Sequence, residues 1–276
     1  MQQITVNNKS FFVDSTDYEY FWPAVNDGTW ETDTYRIFDE NIDKETLVID
    51  IGAWVGPTVL YSAQLAKKCV AFEPDPIAFP RLRDNLKLNA DASWSKSITI
   101  YDKAVNSKSG EIPFGSQHGG GDSMSSVLFA NSSTSWVVDA VTMEDIFAEH
   151  SEPDQKIFLK IDIEGGEYAL VPEIKDYLAD PRVVSYISLH PHFLRRSIKK
   201  SVGKFLGIPR LIQTRLQFLK IYKALINALP SNKKVTIDGK EYKTYTWFLV
   251  HAFLRLRTPS DMLIVNREQL QKNITV

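Results

Sequence analysis

The chain has 276 residues, of which 43% are hydrophobic and 24% charged, with a net charge of −2. That is ordinary usage for one large globular domain or two small ones, and it excludes collagenous, low-complexity and disulfide-framework classes. No apolar run approaches the roughly 18 residues of a membrane span, and the opening MQQITVNNKSFF has no signal-peptide pattern.

The single Cys69 has no internal partner for a disulfide, so a reducing cytoplasm is expected. The small net charge conceals an uneven distribution. Residues 194–234 carry eleven Lys or Arg and no Asp or Glu, so this segment is +11 and the remainder −13. Such a split implies an interaction surface.

In chain order, ITV, the Asn7-Asn8 pair and FFV predict an edge hairpin. The aromatic and acidic stretch 14–46 predicts a cap, giving an N-terminal unit of residues 1–46 ahead of a domain spanning 47–276. From residue 47 the pattern becomes regular. Strands are expected at 47–51, 68–72, 98–101, 157–162, 183–189 and 262–265, with helices at 58–67 and 77–89. Alternating strands and helices imply a doubly wound, mostly parallel α/β sheet.

Residues 102–156 read as an insertion holding the glycine turn GGGDS (119–123) and a capping-type start at Thr142 for the helix MEDIFAEH. Helical spacing of Ile198, Val202 and Phe205, then Leu216, Leu219, Tyr222, Leu225, Ile226 and Leu229, predicts a late pair of basic amphipathic helices within 194–234. An Asp-Gly pair in VTIDGKEYKTYT predicts a second hairpin.

The run LVIDIGAWVGP (47–57) is a buried-strand pattern ending in a glycine loop, and the next strand ends in Glu73. This pairing holds ribose-bearing cofactors in α/β folds. The dinucleotide fingerprint G-x-G-x-x-G is not met, because the loop Gly52-Ala53-Trp54-Val55-Gly56 lacks its third glycine. Asp50 instead precedes the first glycine, and Trp54 would crowd a pyrophosphate. The spacing D-x-G-x-x-x-G fits S-adenosylmethionine (SAM), which carries no phosphate and places an amino group near an acid. Glu73, Pro74 and Asp75 follow, with Glu73 placed to accept both ribose hydroxyls. Asp102 closes the third strand, and Ala104 follows where an adenine ring would lie.

Lys160, Asp162 and Glu164 alternate along the fourth strand and its carboxyl end as candidate catalytic residues, with Asp162 also a candidate cofactor contact. Three charges on one face of a central strand are costly unless paired or functional, and a structural Lys–Asp pair is the plainer alternative. His190 and His192 follow the fifth strand at the same edge of the sheet, where they are candidates for catalytic proton transfer. Asp162, Glu164 and His190 also form a candidate ligand set for a divalent metal. The basic helices read either as a solvated surface hairpin or as a peripheral contact with a membrane or an anionic acceptor. Few aromatics lie among their charges, so no nucleic-acid role is expected.

Taken together, VIDIGAWVG, AFEPDP, NLKLN, KAV, GGGDS and FLKIDIEGGE, with TWE upstream, make residues 29–190 resemble the FkbM family of SAM-dependent methyltransferases. The family usually has Asn where Trp54 stands, and the basic segment after His192 is not part of its common core. The resemblance implies a class I methyltransferase, Rossmann-like sheet and methyl transfer to oxygen, with a sugar hydroxyl in glycan biosynthesis as the acceptor, lipid-linked or phosphate-bearing. A small natural product as acceptor, or a SAM- or nucleotide-binding module without catalysis, are the alternatives.

Overall fold

The structure, a computed structural model, describes residues 1–116, 119–121, 123–201, 209–241, 245–256 and 260–266. Of the sequence expectations, those on Asp122, Val202, Phe205 and residues 242–244 lie outside these.

The chain opens with the hairpin β1 (Gln2–Val6) and β2 (Lys9–Val13), then helices α1 (Phe21–Asn26) and α2 (Thr32–Asn41). Next come β3 (Thr46–Ile51), α3 (Pro57–Ser62), β4 (Lys68–Phe72), α4 (Ala78–Lys87) and β5 (Ile98–Tyr101). Strands β6 (Ala104–Val105), β7 (Gly110–Ser116) and β8 (Thr134–Val141) lead to α5 (Met143–His150) and β9 (Lys156–Ile161). Helices α6 (Glu167–Glu173) and α7 (Lys175–Ala179), β10 (Val183–Ser188), α8 (Pro191–Ser201) and α9 (Arg210–Asn227) follow. The described chain ends with β11 (Lys233–Ile237), β12 (Lys240–Glu241), α10 (Thr246–Arg255) and β13 (Asp261–Asn266).

The main sheet has eight strands in the order β12-β11-β13-β10-β9-β3-β4-β5. Strands β5, β4, β3, β9 and β10 are parallel, and β13 runs antiparallel between β10 and β11. All six residues of β3 are buried, which is why that run is continuously apolar apart from Thr46 and Asp50. The chain winds outward from β3 to β5 and then returns to place β9 against the other side of β3. The strand order therefore reverses between β3 and β9, and α/β sheets bind ligands at the carboxyl ends of such a pair. The α/β class and doubly wound sheet expected from the sequence are present.

Two apolar layers cover the sheet. One joins Leu47, Ile49 and Leu159 to α5, α6, α9 and α10; the other joins Val48, Phe158 and Tyr186 to residues of the hairpin, α1, α2 and α3. The N-terminal residues 1–46 thus share a core with the sheet. Asn85 on α4 and Asn89 in the turn just after it fasten the hairpin to this helix. The Asn89 side chain accepts from Phe12 N and donates to Phe12 O, each at 2.8 Å, while Asn85 accepts from Asp14 N at 2.8 Å and donates to Val55 O at 2.9 Å. Two amides thereby supply a strand edge with the partners a neighbouring strand would give.

Helix α3 ends at Ser62, short of the expected residue 67, and tight turns carry the chain to Lys67, whose N–H meets Thr46 O at 3.0 Å. The insertion holds a three-stranded sheet, β6-β8-β7, that the sequence reading left as a turn and a helix. The expected helix is present as α5, with Thr142 and Asp145 closing a reciprocal capping box. The second half of α9 belongs to the core through Phe218, Tyr222, Leu225 and Ile226, whereas Leu211, Ile212 and Leu216 near its start are 55, 42 and 50% exposed. Among the described residues, no helix is long and apolar enough to cross a membrane.

Candidate active site

The carboxyl ends of β3, β4, β9 and β10 open into one cleft, closed on other sides by α1, the start of α2 and the insertion. The floor is built from the register of β3 and β9, which sets Asp50 beside Lys160. Lys160, 2% exposed, donates to Asp50 Oδ1 at 3.0 Å and to Gly52 O at 3.2 Å, and lies 3.6 Å from Asp162. Thr58 Oγ1 donates to the other Asp50 oxygen at 2.5 Å. Burial opposes the charge on Lys160, but Asp50, Asp162 and Glu31 outweigh it and hold the ammonium above its ordinary pKa. Neither Asp50 nor Lys160 lines the cleft. Asp50, expected near a cofactor's amino group, and Lys160, expected in catalysis, instead form a buried ion pair that ties the glycine loop to β9.

Gly52 and Gly56 both have positive φ, at 88° and 95°. A Cβ on Gly52 would sit 1.9 Å from Asp162 O, so only glycine lets β3 and β9 close up here. Gly52, Ala53 and Trp54 line the cleft; Gly56 does not, and serves as the N-cap of α3. Trp54 is left-handed at φ 48°, as are Glu31 at 41° and Glu164 at 53°, and all three line this cleft. Left-handed non-glycine residues cost on the order of 1–3 kcal/mol each and gather at functional sites. The Trp54 indole donates to Gly121 O at 2.9 Å and meets Phe21 and Tyr18 edge-on at 4.5 and 5.3 Å between ring centres. It forms, with Phe21 and Trp30, the aromatic wall of the cleft.

Glu73 lines the cleft at the tip of β4, with Pro74 beside it. One oxygen accepts from Trp54 N at 2.7 Å and the other from Asp75 N at 2.8 Å. Each keeps a further lone pair for a ligand hydroxyl. Burial raises the Glu73 pKa to about 7, against these two N–H donors. Asp75 does not reach the cleft. Its carboxylate accepts from Ile77 N, Ala78 N, Gly121 N and Ser125 Oγ, so it starts α4 and anchors the glycine turn. Asp102 is exposed and outside the lining, whereas Lys103, Ala104 and Val105 are in it.

On the opposite side Asp162, Glu164 and His190 converge. His190 Nε2 lies 3.6 Å from Asp162 Oδ1 and 3.5 Å from Glu164 Oε2. Glu167, fully buried, accepts from Gly165 N at 2.7 Å and from His190 N at 2.6 Å, and its Oε1 lies 3.2 Å from His190 Nδ1. Burial disfavours the imidazolium, but Glu167, Asp162 and Glu164 together raise the His190 pKa to about 10. His192 is exposed, outside the lining, and tilted against Phe193 with ring centres 4.0 Å apart. Its expected catalytic place is therefore not supplied by this arrangement: the ring keeps an edge contact with His190 at 6.1 Å between ring centres but lies outside the cleft lining. One atom from each of Asp162, Glu164 and His190 lies within 4.8 Å of the other two, so the three fit a divalent ion.

Two residues of the site carried no role in the sequence reading. Glu167 stands in FLKIDIEGGE and Glu31 in TWE, yet neither lies on a strand where alternation could assign a face. Glu31 keeps open surface on the cleft, but the surrounding protein crowds it enough that burial and the Asp162 charge raise its pKa to about 7.

The sequence profile of the methyltransferase FkbM domain matches residues 50–197. No curated protein matches the chain in sequence. Among solved structures, methyltransferase FkbM from Methylobacillus flagellatus KT is similar at 13% identity and a TM-score of 0.45 over 83% of this chain, which spans half (50%) of that protein's length. SMU.1697c from Streptococcus mutans, solved with SAH, is similar at 13% identity and a TM-score of 0.44, over 84% of this chain and 95% of that one. Precorrin-6y C5,15-methyltransferase from Geobacter metallireducens GS-15 is similar at 11% identity and a TM-score of 0.42, over 95% and 97%.

Proposed function

Because the chain belongs to the FkbM methyltransferase family, we propose that it transfers a methyl group from SAM to a hydroxyl oxygen of a sugar in glycan assembly. The observation that carries this reading is one cleft with two unlike halves. Gly52, Ala53, Trp54, Glu73 and Ala104 form a cofactor side, and Asp162, Glu164 and His190 form an acceptor side. Glu73 accepts the ribose hydroxyls through its remaining lone pairs. Gly52 allows the backbone to come close to the cofactor, and Ala104 gives the adenine an apolar flank.

In the transfer, the acceptor oxygen attacks the methyl carbon in line with sulfur. The O–CH₃ bond forms as the S–CH₃ bond breaks, sulfur keeps the electron pair, and S-adenosylhomocysteine (SAH) is released. The acceptor proton must go to a base, and the cleft offers Asp162 and Glu164, held in place through His190. Alignment and proton removal are the protein's main tasks, because the sulfonium is already a good leaving group. A sugar suits a cleft lined by the aromatic rings of Phe21 and Trp30 and by the carboxylates Glu31, Asp162 and Glu164. Rings cover the C–H face of a pyranose while carboxylates accept its hydroxyls.

The test is transfer of labelled methyl from SAM to a panel of sugars and oligosaccharides. Label recovered as a base-stable ether, reduced about 10²-fold or more in D162N, is the expected result. Label recovered only on nitrogen or carbon acceptors contradicts it.

We further propose that the exposed start of α9 and the basic outer face of α8 meet an acidic lipid surface, bringing the cleft to a lipid-linked acceptor. The support is charge beside apolar exposure. Arg195, Arg196, Lys199, Lys200 and Arg210 are exposed near Leu211, Ile212 and Leu216 in the chain.

A further inference from the structure

We propose that Asp162, Glu164 and His190 form a divalent-cation site that presents the ion to the acceptor side of the cleft. The spacing carries the argument. A charge-assisted N–H···O bond is about 2.7–2.9 Å long, yet His190 Nε2 stands 3.6 Å from Asp162 Oδ1 and 3.5 Å from Glu164 Oε2. Neither distance is that of a hydrogen bond. An ion held at about 2.0–2.2 Å in tetrahedral geometry sets its ligand atoms roughly 3.4 Å apart. The nitrogen is therefore placed from both oxygens as a shared metal would place it.

The surroundings of the imidazole point the same way. Glu167 is fully buried, and its Oε1 lies against His190 Nδ1 at 3.2 Å while also accepting His190 N. An acid behind the distal nitrogen fixes the tautomer whose Nε2 lone pair faces outward, which is the arrangement behind metal-ligating histidines. The two carboxylates that Nε2 faces call for a positive charge there, which either the Nε2 proton or a metal ion displacing it supplies. The Glu164 backbone at φ 53° and Gly165 at φ 96° turn the chain so that Glu164 joins the other two at the cleft wall. One imidazole and two carboxylates at this spacing suit a tetrahedral first-row ion such as Zn²⁺, for which Mn²⁺ is the paramagnetic probe, better than Mg²⁺, which prefers an all-oxygen shell. Three protein ligands leave a position for a hydroxyl oxygen, whose proton the ion would make easier to remove. This last consequence rests on the methyltransferase reading; the site itself does not.

Mn²⁺ titration followed by loss of the free-ion electron paramagnetic resonance signal tests the site on the intact chain. One saturable Mn²⁺ per chain is expected. Binding should weaken at least tenfold in H190Q and in E164Q, and by 10- to 100-fold in E167Q, where only the acid behind the histidine changes. Circular dichroism on each variant confirms that it is folded, and E164Q gives a second measurement should H190Q fail that check. No saturable binding up to millimolar Mn²⁺, or equal binding in folded E164Q and wild type, overturns the proposal. SAH calorimetry on the same preparations separates the two readings. SAH binding without Mn²⁺ binding removes the metal site alone, and Mn²⁺ binding without SAH binding removes the methyltransferase reading alone.

Discussion

Glu73 and Lys160 show how burial decides what a charged side chain does in this cleft. Glu73 is raised to about 7 and lies among backbone donors with lone pairs to spare. A carboxylate whose folded pKa lies above its unfolded value of about 4.3 favours the fold at low pH. That contribution is fully present below about 4.3 and is lost as pH rises through about 7. Ligand binding has the opposite sign, because the ionised acid is the stronger acceptor for ribose hydroxyls. SAH affinity is expected to rise between pH 6 and 8 in the wild type and to be flatter in E73Q, read by calorimetry at each pH. Lys160 has no such freedom. Replacing it by Met leaves Asp50 buried without its cation, and the expected loss is about 3–5 kcal/mol in chemical denaturation. The pair D50L/K160M should recover part of that loss, since removing both charges is less costly than stranding one.

The motif residues were legible to different degrees at this scale, for physical reasons. The positions of Gly52 and Glu73 follow from strand ends, which apolar runs locate well. The deeper placement of Asp50 depends on Lys160 lying across the β3–β9 register, which spacing within one strand does not reveal. The place of Asp75 is not legible in the sequence because two of its four donors, Gly121 N and Ser125 Oγ, come from the distant insertion.

Elements with a strong hydrophobic period are legible in the sequence. Strands β3, β4, β5, β9, β10 and β13 fall within a residue or so of their expected bounds, and α5 begins at its capping box. The insertion's sheet was not readable. Strand β8 alternates between exposed and half-buried rather than buried positions, and Val137 on it is 68% exposed, so the pattern carries little contrast. The asparagines at the end of α4 and just beyond it stand as a spaced pair in the sequence, but only the fold shows that they clasp β2. Substituting Asn89 by Ala leaves Phe12 N and O without their partner. The expected cost is about 1–3 kcal/mol, with faster amide exchange confined to the hairpin. Loss of protection spread evenly over the sheet would contradict that local role.

Across the whole molecule, the charge split visible in the sequence falls on helices that the fold uses twice. Helix α9 gives Phe218, Tyr222, Leu225 and Ile226 to the core, so it is a structural layer as well as a basic surface. Co-sedimentation with vesicles rich in acidic lipid is expected in low salt. It should fall as salt approaches 0.5 M, where screening shortens to a few ångströms. Neutral vesicles should retain little protein, and no difference between the two compositions would contradict the lipid-facing role.

The central claim is that the cleft between Gly52, Glu73 and Asp162 is built for SAM. Isothermal titration with SAH and, separately, with NAD measures it directly. One SAH bound per chain is expected, weakened in E73Q, with no saturable heat from NAD. Saturable binding of NAD, with none of SAH, would contradict it.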